Sequence, residues 1–212
     1  MKTIIIGISG PSASGKSLLA NTIVKELGSK QVAVISEDAY YKHNIHLPFE
    51  EREKINYDHP DAFDHELLHQ HLTDLQNGQG VNIPIYDYSK HLRCKETRHI
   101  GQHAIIVLEG ILLFTNPLVR NMMDIRIFMN TSLDICLIRR MKRDIEKRGR
   151  SLESVINQYE ATVRPMYWQF IEPSSRHADL IVPRGGENRI AIDMIKAKMR
   201  EMLTAHPSAQ QE

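Results

Sequence analysis

An α/β fold, with a central parallel sheet covered on both faces by helices, is what this sequence predicts. Three observations carry that expectation. Short apolar runs rich in β-branched residues recur along the chain; patterns with helical periodicity fall between them; and a glycine-rich loop joins the first run to the first helix.

The strand runs are residues 3–8, 31–35, 104–108, 124–129 and 180–182. Residues 3–8 are shorter than the apolar region of a leader peptide and lead straight into the glycine-rich loop, so they read as a first strand. Residues 17–27 place Leu18, Leu19, Ile23 and Leu27 on one helix face, closed by Gly28. Leu67, Leu68, Leu72 and Leu75 mark a second helix ending at Asn77-Gly78; residues 132–147 mark a third, and 151–164 a fourth that stops before Pro165. A last helix covers 188–203. The rhythm breaks once, at 81–100, where Val81, Ile83 and Ile85 alternate with polar residues and Pro84, the pattern of a β-hairpin.

At 212 residues the chain fits one domain, expected over 1–203, with a hairpin insertion at about 81–100, a lid at about 140–150 and a polar tail at 204–212. Twenty-seven Lys and Arg against 26 Asp and Glu leave a net charge of +1, so no global field draws the chain to nucleic acid or anionic lipid. No apolar stretch approaches the roughly 18 residues of a membrane span. Cys94 and Cys136 form no C-x-x-C pair and no disulfide framework, which suits a reducing cytoplasm.

Gly10-Pro11-Ser12-Ala13-Ser14-Gly15-Lys16-Ser17 matches G-x-x-x-x-G-K-[ST] between the first strand and first helix. Glycines let successive backbone N–H groups turn inward around phosphates, and the positive end of the helix dipole faces the same anion. Lys16 adds a charge on the β and γ phosphates, and the Ser17 hydroxyl is placed to ligate Mg²⁺. Gly10, Ser12, Ala13, Ser14, Gly15, Lys16, Ser17 and Leu18 are the expected ATP contacts here. In open α/β sheets ligands sit beyond the carboxyl ends of the strands. Asp38 after the second run and Glu109 after the third therefore become candidates for holding Mg²⁺ or orienting an attacking hydroxyl, with Gly110 allowing close approach of a ligand.

Arg139, Arg140, Arg143, Arg148 and Arg150 fall on one helix and its exit at Gly149. Arginine suits bidentate phosphate contact, and the glycine suggests a mobile lid that closes over the γ phosphate. His65-Glu66-Leu67-Leu68-His69 is a formal H-E-x-x-H zinc pattern, but the chain has 11 histidines, no third-ligand spacing follows, and the leucines are needed for a buried face. Motif chemistry alone stops at a P-loop kinase or NTPase.

Longer strings go further. Asp38-Ala39-Tyr40-Tyr41-Lys42, Asn56 to Asp64, Pro84-Ile85-Tyr86-Asp87-Tyr88, Arg143-Asp144, Glu146 to Arg150, Asn157-Gln158-Tyr159, Val163-Arg164-Pro165, Phe170 to Pro173 and Pro183 to Gly186 resemble the uridine kinase (uridine-cytidine kinase) family of P-loop nucleoside kinases. The resemblance runs from about residue 3 to about 203. It implies a P-loop NTPase three-layer sandwich and Mg²⁺- and ATP-dependent phosphorylation of uridine or cytidine, with GTP as an alternative donor and a homo-tetrameric assembly. It also implies roles. Asp38, with Tyr41 nearby, would orient the 5′-hydroxyl; Asp58, Arg140 and Gln158 would hold the ribose side; Tyr86, His91 and Arg150 would read the pyrimidine; Arg143 and Arg148 would reach ATP, as would Glu187. Tyr57 and Tyr88 would offer aromatic faces to the base. Lys90, beside His91, is a charged departure expected to face solvent. Phosphoribulokinase and pantothenate kinase share the phosphate loop and remain the alternatives, and a nucleotide-binding regulatory or RNA-binding protein is disfavoured by the near-zero charge.

Overall fold

The computed structural model describes residues 3–204. Its strands are β1 (Ile4–Ser9), β2 (Val32–Ser36), an antiparallel pair β3 (Val81–Asp87) and β4 (Leu92–Ile100), then β5 (Ile105–Glu109), β6 (Ile125–Asn130) and β7 (Leu180–Pro183). Five of them form a parallel sheet in the order β2-β5-β1-β6-β7, with β3 and β4 a separate two-stranded sheet. The predicted runs are all strands. The first four lie one residue later than their apolar patterns, because Ser9, Ser36, Glu109 and Asn130 still belong to the ladder although they are polar. That offset has a use: Glu109 is the register partner of both Ile8 and Ser36, so the polar strand ends meet along one edge.

Alternation within the strands builds two cores. Ile4, Ile6 and Ile8 of β1, with Ile105 and Val107 of β5, face one side, where Leu19 and Ile23 of α1 (Lys16–Leu27) pack against them. Ile5, Ile106 and Leu108 face the other. There they meet Leu68, Leu72 and Leu75 of a helix near the hairpin, whose first turn is capped by Asp64 accepting from Leu67 N–H at 3.1 Å. In chain order the remaining helices are α2 (Phe49–Arg52), α3 (His65–Gln76), which is that capped helix, α4 (Pro117–Arg120), α5 (Leu133–Arg148), α6 (Leu152–Gln158), α7 (Arg164–Met166), α8 (Glu172–Ser174) and α9 (Arg189–Thr204). The last of these lies on the α1 face through Ile192, Ile195 and Met199. Among the described residues no helix is long and apolar enough to cross a membrane, and residues 205–212 of the predicted tail lie outside them.

Three local expectations are corrected. Leu18 does not share the buried face of α1; it is 56% exposed, beside Gly186. The fourth helix does not stop before Pro165: it runs on to Ser174 through two wider i→i+5 turns, Tyr159–Val163 and Tyr167–Ile171. Pro165 and Pro173 each follow such a turn, and the extra residue re-spaces the carbonyls where proline has no N–H to donate. Finally, Val81 and Ile83 are buried but Ile85 is exposed, because the pairing register of β3 and β4 shifts between Pro84 and Tyr86. That bulge turns Tyr86 inward.

Candidate active site

The phosphate loop leaves β1 at Gly10 and enters α1 at Lys16. Gly10 (φ 140°), Ala13 (φ 63°) and Gly15 (φ 100°) give it the turns that aim backbone N–H groups inward. At Gly10 a Cβ would lie 2.6 Å from Met129 O, and at Gly15 it would lie 2.7 Å from Gly186 N, so close backbone contact demands glycine at both positions. Gly185 and Gly186, after β7, back the loop: a Cβ on Gly185 would come 2.2 Å from Ser14 O, which also accepts from Thr131 Oγ1 at 3.1 Å. Lys16 is buried and folds over the loop, donating to Gly10 O at 3.0 Å and Pro11 O at 2.8 Å. Burial lowers its pKa, and Glu109 and Asp38 counteract that.

Two strand-end carboxylates face Lys16. Glu109 is buried and accepts from Ser17 Oγ at 3.2 Å. Burial pushes its pKa up against the downward pull of Lys16. Two hard oxygens, one hydroxyl and one carboxylate, thus converge beside the phosphate loop, a donor set that fits Mg²⁺. Asp38 sits on the turn Glu37–Tyr40 that ends β2, and Tyr88 Oη donates to its Oδ2 at 2.8 Å. The ring of Tyr88 carries the Arg148 guanidinium at 4.6 Å, so Tyr88 serves here as a tether between hairpin, acid and arginine rather than as a free stacking face. Gly110 makes room for the Glu37 side chain, whose Oε2 a Cβ there would approach to 2.2 Å, and not for a ligand.

The arginines gather around a residue the single-position reading passed over. Asp144 on α5 is fully buried, with Arg143 Nε at 2.8 Å, Arg148 at 3.5 Å, Arg140 at 3.6 Å and Arg150 at 3.8 Å. Burial alone would raise its pKa, but these guanidiniums outweigh that and hold the carboxyl below its ordinary value. Arg140, itself buried, also donates to Ser12 Oγ and to Gln158 Oε1, both at 3.0 Å; Arg150 shares Gln158 Oε1 with it. Gly149 ends α5 at φ 65°, and its N–H reaches Asp144 O, as does Arg150 N–H. It is therefore a helix stop, with the Asp144 carbonyl accepting from both residues that follow the helix. Arg139 lies apart, paired with Glu187 at 2.6 Å.

The third component is an aromatic wall. Tyr41 packs on Phe63 at 4.4 Å, Tyr86 at 4.9 Å and Tyr57 at 5.1 Å between ring centroids. Tyr57 is stacked on His91 at 5.0 Å and 18°. His91 turns the hairpin at φ 50°, and burial lowers its pKa, which favours the neutral imidazole. Lys90 points away, 73% exposed and 3.4 Å from Asp87, as expected. Asp58 is buried; burial raises its pKa against the influence of Arg140, and Thr162 Oγ1 lies 3.4 Å away. All of the predicted substrate-binding residues line one cleft: Asp38, Tyr41, Tyr57, Asp58, Tyr86, Tyr88, His91, Arg140, Arg150 and Gln158. So do Ser12, Arg143 and Arg148, together with Phe49, Glu53 and Cys94, which carried no motif signal. Its volume of about 1200 Å³ exceeds the roughly 300–1,000 Å³ of a pocket for one small ligand.

Parallel sheet order, glycine loop and strand-end carboxylates define a P-loop nucleotide-binding fold of the kinase type. The chain belongs to the Phosphoribulokinase / Uridine kinase family, whose sequence pattern matches residues 5–191. Curated relatives include the uridine kinases of Aliivibrio salmonicida (strain LFI1238), 57% identical over 206 residues covering 95% of this chain and 96% of that one, and of Aeromonas hydrophila subsp. hydrophila, 58% identical over 204 residues covering 94% and 95%. Solved structures of similar fold include a possible uridine kinase from Bacillus stearothermophilus (TM-score 0.58, 21% identity, 86% and 89% coverage). Phosphoribulokinase from Rhodobacter spheroides is another (TM-score 0.62, 16% identity, 86% and 70% coverage).

Proposed function

We propose that this chain transfers the γ-phosphoryl group of ATP to the 5′-hydroxyl of uridine or cytidine, giving UMP or CMP and ADP. One observation carries the reading: a single cleft runs from Ser12 of the phosphate loop, past Asp38, to the Tyr57–His91 stack and Tyr86. A triphosphate on the loop and a one-ring base on the aromatic wall would bring the nucleoside's 5′ end toward Asp38. The relatives named uridine kinase, at 57% and 58% identity, support the acceptor class.

In the transfer, a bond forms between the 5′-oxygen and the γ phosphorus while the bond to the β–γ bridging oxygen breaks, and the hydroxyl proton passes to Asp38. In a loose transition state little proton transfer is needed early, so Asp38 acts mainly by orienting the hydroxyl. Ser17 and Glu109, with Asp38 close by, would hold Mg²⁺, which supplies charge neutralisation on the β and γ phosphates when bound. Lys16, Arg143 and Arg148 stabilise charge spreading over the transferred group. Asp58, Arg140 and Gln158 hold the ribose side, and Tyr86, His91 and Arg150 face the pyrimidine. The reading extends, on family resemblance, to GTP as an alternative donor, to a cytoplasmic homo-tetramer serving pyrimidine salvage, and to one kinase domain over residues 1–203.

The test is ADP release by purified protein with Mg-ATP and a panel of uridine, cytidine, purine nucleosides, ribulose 5-phosphate and pantothenate. Release with uridine or cytidine is expected; release only with another acceptor overturns the proposal. Asp38→Asn should lower kcat by about 10²–10⁴-fold with ATP affinity intact. Near wild-type turnover would remove Asp38 from the chemistry.

A further inference from the structure

Glu37 is a buried carboxylate beside the site that the chemistry above leaves unused. It precedes Asp38 on the same turn and is 0% exposed. A buried carboxylate is costly unless both oxygens are satisfied, and here both are. His65 Nε2 lies 2.8 Å from Oε1, and Leu112 N–H donates to Oε2 at 2.9 Å. The two partners come from different places: His65 opens α3, and Leu112 lies on the turn that follows Glu109. The His65 ring is itself held, stacked on Phe63 at 5.4 Å and 4°, and Phe63 is stacked in turn on Tyr41. At Gly110 a methyl would sit 2.2 Å from Glu37 Oε2 and 2.3 Å from its Cβ, so the residue after Glu109 is kept bare for this side chain to pass.

We infer that Glu37 is a positioning residue: it ties the turn carrying Asp38 to the turn leaving Glu109, and so fixes the spacing of the two carboxylates across the phosphate loop. This rests on the reading of Asp38 as the group that orients the acceptor hydroxyl. An apolar side chain of equal size would fill the space but leave Leu112 N–H unpaired and His65 untethered. A group with two polar ends is required. Misplacement of an orienting group by about 1 Å costs on the order of 100-fold in rate, which is the scale the tether protects.

The experiment starts with wild-type turnover of uridine and cytidine; its absence would overturn the functional reading and this inference with it. With turnover in hand, the variants address Glu37 alone. Glu37→Ala should lower kcat per folded protein by about 100-fold while KM for ATP stays within about twofold. Glu37→Gln, whose amide can accept from Leu112 N–H and donate to His65, should recover to within about tenfold of wild type. Gly110→Ala should lower kcat by pushing Glu37 aside, yet cost little when added to Glu37→Ala, because the displaced group is gone. A folded Glu37→Ala with near wild-type kcat, a Gln variant as slow as Ala, or strict additivity with Gly110→Ala would each overturn the positioning role. If Glu37→Ala fails to fold by circular dichroism, Glu37→Gln and Gly110→Ala decide: wild-type kcat in Gly110→Ala refutes the inference, and a loss in Gly110→Ala with retention in the Gln variant supports it.

Discussion

Asp58 shows how function and stability pull apart at one side chain. Burial raises its pKa above the value in the unfolded chain, more than Arg140 lowers it. Its contribution to stability is therefore full in acid, where it is protonated in both states, and is lost as pH rises through the raised value. At neutral pH the ionised group opposes folding. Asp58→Asn should accordingly raise the melting temperature at neutral pH, with the gain shrinking as pH falls into the ordinary carboxylate range, while KM for the nucleoside rises about tenfold through the lost charged hydrogen bond. Thermal melts across pH, paired with steady-state kinetics, check both halves. The residue-level reading of the sequence was strongest where one residue type has few alternatives: Lys16, Ser17, Asp38 and Glu109 all reach the same edge of the sheet. It was weakest where a role depends on a neighbour. Glu37 reads as a loop acid until Gly110 and His65 are seen beside it.

Among the elements, α5 depends most on one residue. Asp144 is the shared counter-ion of four arginines, three of which are about one-third exposed on their side chains. Breaking a fully buried pair costs about 3–5 kcal/mol, and solvent at these arginines reduces that, so Asp144→Asn should destabilise the fold by about 1–3 kcal/mol, measured by urea unfolding. The loop after β7 is equally constrained. Gly185 has φ 65° and no room for a methyl against Ser14 O, so Gly185→Ala should weaken ATP binding at least about tenfold by calorimetry. Strands were legible because buried parallel strands are written as continuous β-branched runs. The path through Pro165 was not: the wide turns Tyr159–Val163 and Tyr167–Ile171 leave no periodicity that distinguishes them from a helix stop. Nor was the bulge at Ile85, since an alternating run carries no mark of where one extra residue enters.

Across the whole molecule, the sheet brings the ends of β1, β2, β5 and β7 to one edge, so ligand energy acts on the entire fold. Mg-ATP at about 100 times its dissociation constant should add about 2.7 kcal/mol to the unfolding free energy. In a chain of this size that raises the melting temperature by roughly 5–11 °C in differential scanning fluorimetry. The fold class was readable at this scale because the alternation of strands and helices admits few topologies. Assembly of the aromatic wall was not, since Tyr41, Tyr57, Tyr86 and His91 come from three separate segments that only tertiary packing unites.

The backing of the phosphate loop by Gly185 and Gly186 has a consequence for the order of events during folding. Ser14 lies near the start of the chain and its buttress follows the last strand, so their contact is among the longest-range in the fold and closes one of its largest loops. During synthesis the N-terminal strand and helix emerge first, yet the loop between them gains its rear wall only after β7 has docked beside β6. Nucleotide capture thereby reports that β7 and the two glycines after it have been made and docked: a ribosome-tethered product halted before Gly185 should present the whole glycine-rich sequence and still fail to be retained on immobilised ATP.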